Sequence, residues 1–344
     1  MHDDLVDRLT AGDPSALARC ISLMERGGAA ADRIYRRVCP RVGGATVIGF
    51  TGAPGAGKST LIDAYIAALR VRGASVAVAA VDPSSPISGG AVLGDRARMW
   101  RHAEDPGVFI RSVASHGHLG GLSESMHRIV DVMDAAGRDF IIIETVGAGQ
   151  SEVEVVEIAD VCVVVNAPNM GDEVQAMKAG ILEIADVLVV NKSDLPLAQR
   201  TTKQLTNMLE LRRENRDVPV VETVALTETG IDALHDAITR RLAAGAGDKQ
   251  KRRERRMRRL IADRAGRIVR DLVGDADGGD LADLVHAAAS GERSALMPPP
   301  GVRSRQFFES PRAGATQATP RAAALPAARP EKIQPPRKVP SRAA

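Results

Sequence analysis

The stretch Gly52-Ala-Pro-Gly-Ala-Gly-Lys-Ser59 constrains this chain more than any other segment. It lies between an apolar run, ATVIGF at 45–50, and a helical pattern that begins near Lys58. The spacing is G-x-x-x-x-G-K-S in the strand-then-helix setting that a phosphate-binding loop requires. Gly52, Gly55 and Gly57, interleaved with Ala53, Pro54 and Ala56, let backbone N–H groups converge on phosphate oxygens with no Cβ in the way. The helix N-terminus adds its partial positive charge. Lys58 is expected to reach the β- and γ-phosphates and Ser59 to ligate Mg²⁺, with Thr60 beside them in the nucleotide-binding set.

Downstream, short apolar runs alternate with helical stretches: SVAVAAVD (75–82), VFIRS (108–112), FIIIE (140–144), VCVVVN (161–166), VLVVNK (187–192) and VPVVETVAL (218–226). Strands apolar on both faces and separated by helices predict an α/β fold, a P-loop NTPase with a doubly wound, mainly parallel sheet. IDALHDAITRRLAA (231–244) reads as the amphipathic closing helix. Ahead of the first strand, Asp13-Pro14 reads as an N-cap with Pro at the first helical position, and Gly43-Gly44 ends the arm. The expected organisation is an N-terminal helical arm (1–44), a nucleotide-binding domain (45–245), a C-terminal helical extension (246–297) and a disordered Pro/Ala/Arg-rich tail (298–344).

Three further motifs follow the loop in order. Glu144 closes FIIIE, where a carboxylate can hold the water shell of Mg²⁺. Glu144-Thr-Val-Gly147 is a variant of the D-x-x-G motif. Gly147 would offer its N–H to the γ-phosphate and open a switch loop containing Gln150. Asn191-Lys192-Ser193-Asp194 matches N-K-x-D. Its Asp194 carboxylate can accept from the ring N–H and the exocyclic amine of guanine, so the motif selects GTP over ATP. Lys192 would lie along the base and Asn191 would brace the loop, while Ala225-Leu226 resembles the later loop whose backbone contacts guanine. Asp82 and Asp95 invite two readings from their surroundings alone, Mg²⁺ or water organisation on one hand and an ordinary loop or cap carboxylate on the other.

Charge and composition exclude several classes. The net charge of +3 hides nine Lys/Arg against two Glu over 301–344 and eleven against three acidic residues over 249–273. Residues 1–248 are therefore acidic, at −8, which argues against the motif-bearing body gripping a nucleic-acid backbone. Aromatic residues make up 2% of the chain, too few for base-stacking platforms. No apolar run approaches membrane-spanning length, and the acidic start MHDDLVDRLTAGD lacks a signal-peptide pattern. Cys20, Cys39 and Cys162 are unclustered, so a reducing cytoplasm is expected.

The segments VDPSSPISGGAVLGDRARM (81–99), HLGGLS (118–123), ETVGAGQSEVEV (144–155) and the NKSD strand together resemble the MeaB/ArgK-type GTPases. These are chaperones of adenosylcobalamin-dependent acyl-CoA mutases, and the human methylmalonic aciduria type A protein belongs to the same family. The resemblance runs from about residue 5 to 245. It implies a Mg²⁺-dependent GTPase that docks on a mutase such as methylmalonyl-CoA mutase, gates loading of adenosylcobalamin from an adenosyltransferase, and is stimulated by that partner. It places Lys58, Ser59, Asp82, Asp95 and Glu144 on the nucleotide and Mg²⁺ site, with Lys58, Asp95 and Glu144 as the candidate catalytic residues. It also implies a further switch in NMGDEVQAMKAG (169–180), carried by Asp172, Gln175 and Lys178. His116 departs from the Arg that many members carry, and the Arg-rich extension lacks the usual aromatic character, although a homodimer is expected. Two alternatives compete: a metal-inserting maturation GTPase, suggested by His116 and His118, and a kinase of a transport protein.

Overall fold

The computed structural model describes residues 2–82, 99–114, 124–145, 158–168, 184–210 and 218–244, together with Val155 and single residues between 254 and 266. The apolar runs become seven strands: β1 (Thr46–Gly52), β2 (Val76–Asp82), β3 (Val108–Ala114), β4 (Phe140–Glu144), β5 (Val161–Asn166), β6 (Val187–Asn191) and β7 (Val220–Thr223). They form one sheet in the order β3-β2-β4-β1-β5-β6-β7, and every pairing is parallel. β2, β5 and β6 are buried along their whole length, which explains why they read as unbroken Val, Ala and Leu runs rather than alternating ones.

Helices cover both faces. On one, α4 (Lys58–Val71) and a helix over Ile231–Ala244, here α7, pack Leu61, Ile62, Tyr65, Leu69, Leu234 and Ile238 against Ile48, Phe50, Val163 and Val189. On the other, the arm and α5 (Glu124–Ala135) pack against Val47, Ile141, Cys162 and Val164, and α6 (Ala198–Glu210) adds Leu205. This doubly wound arrangement places β1 at the point where the strand order reverses, the position at which open α/β sheets bind ligands.

The arm contains three helices, α1 (His2–Thr10), α2 (Pro14–Arg26) and α3 (Gly28–Val38). Asp13 caps α2 by accepting from the Ser15 and Ala16 amides at 2.8 and 3.3 Å. Leu17, Ile21 and Met24 are buried, as their helical spacing predicts. α5 holds the arm: Tyr35 donates to Asp131, Arg128 pairs with Asp32 at 3.0 Å, and the Arg128 guanidinium lies 5.1 Å from the Tyr35 ring centre. Asp134 accepts from the Gly43, Gly44 and Ala45 amides at 2.7, 3.1 and 2.9 Å, fixing the junction between arm and β1.

Two elements differ from the sequence expectation. The run at 218–226 is a strand only over Val220–Thr223. Val224 then bridges Thr229 and a 3₁₀ turn covers Ala225–Thr227, ending in Glu228 at φ 58°. β1 extends past Phe50 to Gly52, so the glycine-rich loop starts directly from the sheet. The described residues between 254 and 266 are helical, and Met257 packs against the arm-side core. The chain divides into contact units 1–274 and 275–344, of which the second lies outside the described residues, as does the tail expected at 298–344. All three cysteines are free thiols. No described helix is long and apolar enough to cross a membrane.

Candidate nucleotide site

The loop after β1 depends on its glycines. Gly52 has φ 136°, and a Cβ there would lie 2.1 Å from the Val165 carbonyl oxygen of β5. Gly57 has φ 87° at the N-cap of α4, and a Cβ would meet Asn191 Nδ2 at 2.5 Å. Gly55 also has positive φ, 77°. A side chain at Gly52 or Gly57 would collide with the neighbouring strand end and leave the backbone strained.

Lys58 is buried, and its ammonium donates to the Gly52 and Ala53 carbonyls at 2.8 and 3.1 Å. The charge is thus held inside the loop, over the start of the helix. Ser59, the next residue, is also buried and donates from Oγ to Glu144 Oε1 at 2.6 Å. Thr60 follows half-buried, and Pro54 and Gly55 form the exposed crest of the loop.

Glu144 and Asp82 reach this point from adjacent strands. Ala80 of β2 lies opposite Glu144 of β4, so Asp82 lies two residues further along the same face, at the carboxyl edge of the sheet. Both carboxylates are buried. Ser59, Glu144 and Asp82 therefore form a set of hard oxygen donors beside the loop, the donor type that Mg²⁺ takes. Among the described residues no group of three His, Cys, Asp or Glu side chains converges. A Mg²⁺ ion on nucleotide phosphates needs no such cage, because one or two carboxylates, phosphate oxygens and waters suffice. The residues present fit that ion.

Asn191 ends β6 and connects two loops. Its Nδ2 donates to the Ala56 carbonyl at 3.0 Å, and its Oδ1 accepts from Thr223 Oγ1 and the Ala225 amide at 3.1 and 3.2 Å. Lys192, at φ 58°, donates from Nζ to the Gly55 carbonyl at 2.9 Å, laying its stem across the glycine-rich loop. Asp194 is exposed in the turn that follows. Ala225 is buried under this junction and Leu226 is 86% exposed beside it. The structure thus brings together Gly52 to Thr60, Asp82, Glu144, Asn191, Lys192, Asp194, Ala225 and Leu226 along one edge of the sheet. Asp95, His116, His118, Gly147, Gln150, Asp172, Gln175 and Lys178 lie outside the described residues.

Thr223 and the anchor of the 3₁₀ turn after β7 carry no sequence motif. Arg101 pairs with Asp63 of α4 at 2.7 Å and with Glu228 at 2.9 Å, tying that turn to the helix after the glycine-rich loop. His102 adds a contact to Asp63 at 3.1 Å. Burial outweighs these cations and raises the Asp63 carboxyl above its ordinary value.

Residues 17–276 match the family model described as Methylmalonyl Co-A mutase-associated GTPase MeaB. A putative GTPase of Pyrococcus abyssi is 47% identical over 263 residues, spanning 74% of this chain and 81% of its own length. The GTPase ArgK of Escherichia coli is 37% identical over 243 residues, spanning 68% of this chain and 73% of its own. A crystal structure described as a LAO/AO transport system kinase superposes with a TM-score of 0.65 at 26% identity, covering 85% of this chain and 93% of that one. With its loop, strand order and N-K-x-D junction in place, the chain belongs to the MeaB family of P-loop GTPases.

Proposed function

We propose that this protein is a Mg²⁺-dependent GTP hydrolase that acts as a chaperone of an adenosylcobalamin-dependent acyl-CoA mutase of the methylmalonyl-CoA mutase type. The observation that carries the nucleotide chemistry is the 2.6 Å bond between Ser59 and Glu144, buried beside a lysine-bearing glycine loop. The family model, described as mutase-associated, supports the partner.

In this reading the loop amides and Lys58 bind the phosphates, and Lys58 neutralises charge that builds on the β–γ bridge during transfer. Ser59, Asp82 and Glu144 would hold Mg²⁺, directly or through its waters, and the bound ion would supply charge screening at the phosphates. Asp194 accepts from the guanine edge, Lys192 covers the base, and Ala225 and Leu226 supply the loop against it. In the same reading Asp95 and Glu144 orient water, Gly147 and Gln150 form the γ-phosphate switch, and Asp172, Gln175 and Lys178 relay the nucleotide state to the mutase. The partner docks on a homodimer, and an adenosyltransferase supplies the cofactor whose loading is gated. We place the protein in the cytoplasm.

The test is GTP turnover with and without acyl-CoA mutases. Turnover should be slow alone and rise with the cognate mutase, and Lys58→Ala should abolish it. No stimulation by any acyl-CoA mutase would sink the chaperone reading while leaving the hydrolase intact. The structural likeness to a protein described as a transport-system kinase keeps a second reading open to the same assay. Release of the γ-phosphate solely as free phosphate excludes it, and transfer to a protein supports it.

A further inference from the structure

Asn166 closes β5, and its side chain is 0% exposed. Among the described residues neither its Oδ1 nor its Nδ2 has a hydrogen-bond partner. A buried amide left unpaired is costly, and such groups are rare in native proteins. Its position makes it more than a packing residue. Cys162 and Val164 of β5 belong to the arm-side core, so alternation puts Asn166 on that face, beneath the sheet from α4.

Two other buried polar side chains occupy the same face at the same edge. Thr51, 0% exposed, precedes Gly52 on β1, and Thr145, 1% exposed, follows Glu144 on β4. Thr145 Oγ1 donates to Thr51 Oγ1 at 3.0 Å. The Thr51 hydroxyl retains its own proton, for which Asn166 Oδ1 is an acceptor type, and its oxygen can also accept from an amide. Thr51 lies opposite Val164 and Gly52 opposite Val165, so Asn166 stands diagonally beyond Thr51 on the neighbouring strand. The close approach of Gly52 to the Val165 carbonyl ties the end of β5 to the glycine-rich loop.

We propose that Asn166 is a positioning residue for the GTP-bound state, hydrogen-bonding the Thr51–Thr145 hydroxyl pair when nucleotide and Mg²⁺ load the tips of β1 and β4. The proposal rests on the GTPase reading and adds to it a polar link under the site. Thr51 and Thr145 each adjoin a residue that faces the nucleotide, Gly52 and Glu144, so a small shift at either tip reaches the hydroxyl pair. A link made in one state alone biases the equilibrium toward that state. GTP differs from GDP at the γ-phosphate, which the proposed site places on the Glu144 side, so the link favours GTP over GDP.

The test compares the full chain with Asn166→Leu, which keeps the size and removes the amide, and Thr51→Val, which keeps the shape and removes the hydroxyl. The readouts are affinities for GDP and for a non-hydrolysable GTP analogue, and the denaturation midpoint without nucleotide. In each variant the ratio of analogue to GDP affinity should fall by about tenfold. The double variant should fall no further than either single one, since coupled partners are non-additive. Asn166→Leu should also raise the nucleotide-free midpoint. An unchanged affinity ratio in either variant, or additive losses in the double variant, overturns the proposal. Failure of the unaltered chain to bind guanine nucleotides would instead bring down the GTPase reading itself. Should Asn166→Leu not fold, Thr51→Val decides the matter through the same ratio.

Discussion

Ser59 donates to Glu144 across 2.6 Å, joining the first turn of α4 to the tip of β4. The helix after the glycine-rich loop and the tip of β4 are thereby held at one oxygen-to-oxygen contact. Glu144→Gln keeps a hydrogen-bonding partner for Ser59 but removes the charge that, in the proposed site, would hold Mg²⁺ and its waters. Hydrolysis should fall by between about 10- and 100-fold, with the loss partly recovered at high Mg²⁺. Steady-state GTPase assays across a Mg²⁺ titration check this.

Asn191 is the junction between the glycine-rich loop and the turn after β7. Asn191→Ala strands Thr223 Oγ1, the Ala225 amide and the Ala56 carbonyl together. The nucleotide-free protein should lose about 1–3 kcal/mol of stability, read by urea denaturation. GDP affinity should fall with it, because both loops lose their common anchor.

Asp194 accepts two donors from guanine in the proposed site. Asp194→Asn replaces one acceptor by a donor and should turn preference from GTP toward XTP, whose ring carries a carbonyl where guanine has its amine. Sites that read a base by hydrogen bonds discriminate by up to about 10⁴-fold, so the shift should be large. Competition between labelled nucleotides measures it.

His235 lies on α7 with its Nδ1 3.1 Å from the Tyr65 hydroxyl of α4. Burial, helped by Arg72, lowers its pKa below the ordinary 6.5. The folded protein therefore resists protonation that the unfolded chain accepts. Stability from this group is full above the ordinary histidine range and is lost as pH falls from there toward the depressed folded value. Denaturation midpoints should drop between pH 8 and pH 5.5, and His235→Gln should flatten that part of the drop.

Asp134 satisfies three consecutive amides where the arm meets β1. Asp134→Ala should cost about 3 kcal/mol or more. Limited proteolysis should then cut near 43–45 faster than in the unaltered chain.

Much of this was legible in the sequence because it is local. The Asp13 cap, the burial of Leu17, Ile21 and Met24, and the bounds of β4, β5 and the closing helix follow from periodicity and capping within a few residues. The glycine-rich loop and N-K-x-D are likewise contiguous, so their chemistry is written in order along the chain. The division of the arm into three helices was less visible, since Gly27 and Gly28 form a break whose meaning depends on how α2 and α3 pack against α5.

Pairings between distant residues were decided by tertiary structure. Ser59 meets Glu144 because β4 lies beside β1, although 85 positions separate them. Asn191 reaches Ala56 because β5 and β6 follow β1 in the sheet, and Arg101 finds Asp63 and Glu228 by the same folding of remote segments. Asn166 shows the limit most clearly. In sequence it is a polar residue ending an apolar strand. The parallel register puts it diagonally beyond Thr51 and buries its amide with no partner among the described residues. Sequence determined which phosphate- and guanine-type motifs the chain carries, because residue type and local spacing suffice for that. Strand order and register decided which of them meet, because those depend on burying both faces of the whole sheet at once.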